Sequence, residues 1–89
     1  MRDLKLKWFK MDDELITHND SMDGIIFKVK GGYEYKIIFN KQKHKLYGNN
    51  YDSLIESSNG NDHARTIKEA KQWVNNTMVD FIEESGAPN

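Results

Sequence analysis

The stretch Thr66-Ile67-Lys68-Glu69-Ala70-Lys71-Gln72-Trp73-Val74 decides the fold. Thr66 and Glu69 have the Thr-x-x-Glu spacing of a capping box, in which each side chain satisfies a backbone N–H left free at a helix start. The helix therefore begins at Ile67. Ile67, Ala70, Val74, Met78 and Phe81 then recur at helical spacing as one apolar stripe, with Trp73 and Ile82 at its margins. Ser85-Gly86 and Pro88 make continuation unfavourable, which predicts a helix over 66–84, about five turns long. Such a stripe has to be buried, and the residues upstream supply the surface.

Those upstream residues alternate with the period of a strand. Ile25, Phe27 and Val29 point one way and Ile26, Lys28 and Lys30 the other. After Gly31-Gly32 the pattern resumes with Tyr33, Tyr35, Ile37 and Phe39 against Glu34, Lys36, Ile38 and Asn40. Two glycines accept the positive φ of a primed hairpin turn, so this is read as a β-hairpin turning at Gly31-Gly32. Leu4, Leu6 and Trp8 alternate with Lys5, Lys7 and Phe9 as an opening strand, and Asp12-Asp13 turns the chain into Glu14–His18. Further on, His44–Gly48 and Tyr51–Ser57 read as short strands joined at Asn49-Asn50.

The expected fold is α+β: a curved antiparallel β-sheet of roughly four to six strands in meander order, packed on one face by a single C-terminal α-helix. Ile25, Phe27, Val29, Tyr35, Ile37 and Phe39 are expected beneath the helix. The expected layout of residues 1–89 is a single domain, with sheet at 3–57, loop at 58–65 and helix at 66–84.

With 89 residues, 37% of them hydrophobic, the chain has enough for one economical core. It has no cysteine, no charged-then-apolar leader and no apolar run near the ~20 residues that span a bilayer, which leads us to expect a cytoplasmic protein without membrane contact. The net charge of −1 argues against a generic polyanion binder, but the charges are sorted. Residues 12–24 hold five carboxylates and no Lys or Arg, whereas residues 25–48 hold six lysines and one carboxylate. Acidic loops thus alternate with basic strands.

Signatures of chemistry are lacking. Asn19–Gly24 has oxygen donors at alternate positions and a glycine sixth, as in a calcium loop, but Lys30 stands where the bidentate carboxylate belongs. His18, His44 and His63 have no second ligand at zinc spacing, and no nucleophile elbow, phosphate loop or His-Glu-x-x-His occurs. The expectation is a protein that is not an enzyme and uses no metal or cofactor. Contact candidates are the acidic loops and exposed aromatics: Asp12, Asp13, Glu14, Asp20, Asp23, Tyr33, Tyr47 and Tyr51. An alternative surface is the outward set Lys28, Lys30 and Lys36, with Ile26 and Ile38 beside it, as a basic sheet face for nucleic acid.

The order strand, Gly-Gly hairpin, strand, polar turn, then Thr66-Ile67-Lys68-Glu69-Ala70-Lys71-Gln72-Trp73 resembles the three-stranded sheet plus helix of the arm-type DNA-binding domains of phage and transposon integrases. It is also similar to short proteins of bacteriophages and other mobile elements that share an aromatic opening strand and a terminal Glu-Ala-Lys helix. The first resemblance implies DNA binding by the sheet. The second implies a non-enzymatic inhibitor of a host protein, such as a CRISPR nuclease or restriction component. Acidic loops throughout, and Asp62-His63-Ala64-Arg65 ahead of the helix, turn the expectation toward a host protein as partner, with nucleic acid as the alternative.

Overall fold

The computed structural model describes residues 2–19, 22–39, 54–57 and 63–85. Five strands, β1 (Trp8–Met11), β2 (Glu14–His18), β3 (Met22–Val29), β4 (Gly32–Phe39) and β5 (Leu54–Ser57), precede one helix, α1 (Ile67–Ser85). The strands form a single sheet in the order β1-β2-β3-β4-β5, each neighbouring pair antiparallel, so among the described residues the sheet is an open meander with β1 and β5 at its edges. The register shifts between Ile37 and Ile38 where β4 meets β5. Of the two later strands expected, His44–Gly48 lies outside the described residues, and the second is seen as Leu54–Ser57.

One face of the sheet lies against α1. Met22, Ile26, Ile37, Ala70, Val74, Met78 and Ile82 form the buried cluster, with Leu15, Tyr35 and Trp73 packed on its margins. Tyr35 meets Trp73 edge to face, with ring centroids 6.3 Å apart. The helix side chains fill the space beside Gly24, where an added Cβ would stand 2.9 Å from Val74 Cγ1 and 3.0 Å from Met78 Cε.

Here the structure corrects the face expected for β3. Ile25, Phe27 and Val29 point away from the helix, and Ile26, expected outside, is 1% exposed in the core. The register explains it: Ile26 pairs with Tyr35 and Gly24 with Ile37, and cross-strand partners share a face. A two-residue hairpin turn always joins even-numbered positions of one strand to odd-numbered positions of the next. Since Tyr35 and Ile37 face the helix, Ile26 must do so too.

The turn itself is one residue earlier than expected. Val29 pairs with Gly32, so Lys30 and Gly31 form the turn, and the positive φ falls on Gly31 alone (95°), the pattern of a type II turn. Gly32 is a strand residue that must lack a side chain for another reason. Tyr33 and Ala64 exchange backbone hydrogen bonds of 2.8 and 2.9 Å, which brings the Ala64 carbonyl within 2.3 Å of where a Gly32 Cβ would stand.

At the helix start, Glu69 N–H donates to Thr66 Oγ1 (3.1 Å), as the capping motif predicts. The Glu69 carboxylate reaches the Arg65 N–H (3.4 Å) in place of the Thr66 one. The apolar stripe is rotated from its expected centre: Ala70, Val74 and Met78 are buried, but Ile67 is 38% exposed and Phe81 half-buried, while Val79 and Ile82 are buried. Asn75, Val79 and Ile82 recur at i, i+4 and i+7, so a second flank of the helix is covered.

Residues 2–7 run along that flank. They were expected as a strand from Leu4, but the strand begins at Trp8, because polar side chains take over the backbone bonds upstream. Leu4 N–H donates to Asn75 Oδ1 and Asn75 Nδ2 donates to the Arg2 carbonyl, both at 2.9 Å. Asp3 Oδ1 accepts from Lys5 N–H, holding Lys5 at φ 53°, and Thr17 Oγ1 donates to the Lys7 carbonyl at 2.6 Å. Leu4 and Leu6 are left half-buried against the core.

Candidate binding surface

Reading the register across the sheet builds its open face row by row. One row runs Met11, Glu14, Phe27, Glu34, and the next runs Phe9, Ile16, Ile25, Lys36. Side chains two residues apart along a strand stay on one face, so Val29 and Ile38 belong to it as well. Most of the face is half-buried, but at edge strand β1 Phe9 is 59% and Met11 63% exposed. Large apolar side chains this accessible on an edge strand make a candidate contact surface, because their burial against another surface would remove them from water at about 25 cal/mol per Å².

The β1–β2 turn follows directly. Asp12 takes a positive φ of 55°, which an aspartate tolerates because its short side chain bonds locally, and Asp12 and Asp13 are both exposed. Glu14 sits half-buried opposite Met11 and next to Phe27 on the open face. Apolar anchors and an acidic rim are therefore contiguous.

The other expected contact residues do not join them. Asp23 lies at the far end of β2 and β3, about 13 Å along the strand from Glu14, and its Oδ1 accepts a 2.6 Å hydrogen bond from His18 Nδ1. Tyr33 is half-buried on the helix side of the sheet and packs against the core. Asp20, Tyr47 and Tyr51 lie outside the described residues. The lysine surface is also divided. Lys28 pairs with Tyr33 on the helix side, Lys36 pairs with Ile25 on the open face, and Lys30 is an exposed turn residue, so the three do not form one basic face.

Phe9, Met11, Ile16 and Ile25 were not singled out from the sequence as contact residues. The signal for Ile25 was there, in the parity of the hairpin; for Phe9 and Met11 it was the alternation with Trp8, whose ring is the one turned toward the helix side.

Among the described residues no three of His, Asp and Glu gather as metal ligands, and no helix is long and apolar enough to cross a membrane. His63 Nδ1 lies 3.4 Å from Glu34 Oε1, buried and without a hydrogen-bond partner of good geometry. The fold and surface define an α+β domain with one covered and one open sheet face. No protein-family model matches the chain, and neither a curated protein nor a solved structure is significantly similar to it.

Proposed function

We propose that this is a small non-enzymatic binding protein that works by protein–protein contact through edge strand β1 and the open sheet face. The observation that carries this is the pairing of two exposed apolar side chains, Phe9 and Met11, with the acidic turn Asp12-Asp13-Glu14. Apolar anchors supply affinity when desolvated, and carboxylates at the rim orient a basic partner and speed its approach. Taken with the resemblance to short phage proteins, the partner is a bacterial host protein with a basic, nucleic-acid-handling surface, such as a CRISPR nuclease or restriction component, and the effect is inhibition. The aromatic anchor is then Phe9 in place of Tyr33. Binding of nucleic acid through Lys28, Lys30 and Lys36 together is the weaker alternative, because those side chains are spread over both faces.

The test is capture of a partner from bacterial lysate with and without nuclease, followed by affinity measurement with the purified pair. A nuclease-resistant complex is expected, weakening as salt rises, and Phe9→Ser with Met11→Ser should lower affinity at least about 100-fold, as loss of two anchor side chains does. Unchanged affinity for that double variant would remove β1 from the interface.

A further inference from the structure

On the helix side of the sheet, away from the open face, residues 2–6 and α1 border a broad cleft of about 620 Å³ that is open to solvent. One wall is the helix stripe Lys68, Lys71, Gln72 and Asn75, whose i, i+3, i+4, i+7 spacing places all four on one side of α1. The opposite wall carries Arg2, Asp3 and Lys5, on a segment tied to α1 where Asn75 accepts from the Leu4 N–H and donates to the Arg2 carbonyl. Leu6, Trp8 and Ile67 form the apolar floor.

Four cations line this space against one carboxylate, and the carboxylate is engaged: Asp3 Oδ1 accepts the Lys5 N–H. Glu69, the nearest acid on the helix, is turned back to the Arg65 backbone. Among the described residues Lys5, Lys68 and Lys71 have no carboxylate partner, and Lys71 Nζ lies 5.8 Å from the centroid of the Trp8 ring. Three lysines without carboxylate partners beside an aromatic ring are complementary to a ligand that brings both an anion and a planar ring. The volume falls within the roughly 300–1,000 Å³ of small-molecule sites.

We propose that this cleft binds a nucleotide unit, its phosphate held by Lys5, Lys68 and Lys71 and its base against Trp8. The unit is either a free mononucleotide or the 5′-phosphorylated end of a single strand. A continuous duplex does not fit the chemistry, since its bases are stacked on each other and unavailable to Trp8. Because the cleft and the open face lie on opposite sides of the sheet, this site stands or falls separately from the protein-contact surface.

The experiment is an NMR titration of the full chain with adenosine 5′-monophosphate, with a 5′-phosphorylated ten-residue oligothymidylate, and with the same oligonucleotide lacking the phosphate. The expected result is saturable shifts of the Trp8 indole and the Lys5 and Lys68 amides, lost or at least tenfold weaker in K68A/K71A. The variant K7A/K10A removes the same charge at exposed positions outside the cleft and should bind as the parent does; K68E alone, at an exposed position, gives the same loss should K71A disturb Trp8. Tighter binding of the phosphorylated strand than of the mononucleotide assigns the site to a strand end, and equal binding assigns it to a free nucleotide. For the strand, the log–log salt slope should shrink by about 0.7 per lysine removed from the cleft. No shift at Trp8 up to millimolar ligand overturns the proposal, and so does an equal loss in K7A/K10A, which would mean unspecific charge attraction.

Discussion

Replacing Ile25 and Ile26 in turn by alanine tests the orientation of β3 with chemistry held constant. The two are neighbours in one strand and lose the same atoms, so strand propensity cancels and burial is what differs. Ile26 is 1% exposed within the core cluster, and a fully buried Ile→Ala change costs about 2–5 kcal/mol through lost transfer energy and the cavity left behind. Taking about 3 kcal/mol, and the 4–8 °C per kcal/mol typical of domains this size, Ile26→Ala should lower the Tm by roughly 12–24 °C. Ile25 is half-buried on the open face between Ile16 and Lys36, where loss of a cross-strand contact is worth up to about 1 kcal/mol, or roughly 4–8 °C. Thermal and urea unfolding followed by circular dichroism give both values. The urea m-value should be unchanged, since the surface exposed on unfolding is nearly the same. If Ile25→Ala costs as much as Ile26→Ala or more, the register is wrong and the open face has been assigned to the wrong side.

Two further outcomes probe the devices that hold the sheet and the N-terminal segment. Asn75→Ala removes both hydrogen bonds to residues 2 and 4, so it should cost about 2 kcal/mol and speed hydrogen exchange at the Leu4 amide; a Leu4 amide that exchanges at the parent rate would show that the clamp does not hold in solution. Gly32→Ala should destabilise more than Gly31→Ala, although only Gly31 has positive φ. At Gly32 a Cβ meets the Ala64 backbone at 2.3 Å and forces the Tyr33–Ala64 bridge apart, whereas at Gly31 the nearest atom is 3.9 Å away and the cost is the left-handed conformation, about 1–2 kcal/mol. Comparing the two unfolding midpoints checks the order, and the reverse order would refute the close approach of Ala64.

Much of the binding surface was legible in residues 8–18. The aspartates at positions 12 and 13 mark the β1–β2 turn by their composition, and that turn is where the exposed acidic group sits. Phe9 and Met11 alternate with Trp8 and Lys10, so period alone places them together on one face. What period does not give is which face is covered. Strand β3 has apolar residues on both sides, and Gly24, which looks like a gap in the helix-facing row, is a place where Val74 and Met78 pack directly against the strand. The apparently poorer side is the buried one because the helix side chains fill the space that glycine leaves.

The sequence by itself determined the elements: a helix capped by Thr66 and Glu69, a glycine hairpin, an acidic turn, and a meander order over β1–β4 imposed by short connections. These are local, since each depends on side chains within about four residues or on turn chemistry. The division of Lys28 from Lys36 follows from the parity of a two-residue turn, whereas tertiary structure alone decided the face of β3 that is sealed and the strapping of residues 2–6 to α1 by Asn75. Such outcomes depend on contacts between residues as far apart as Leu4 and Asn75. In those contacts hydrogen-bond satisfaction and packing volume outweigh the alternation of apolar and polar side chains.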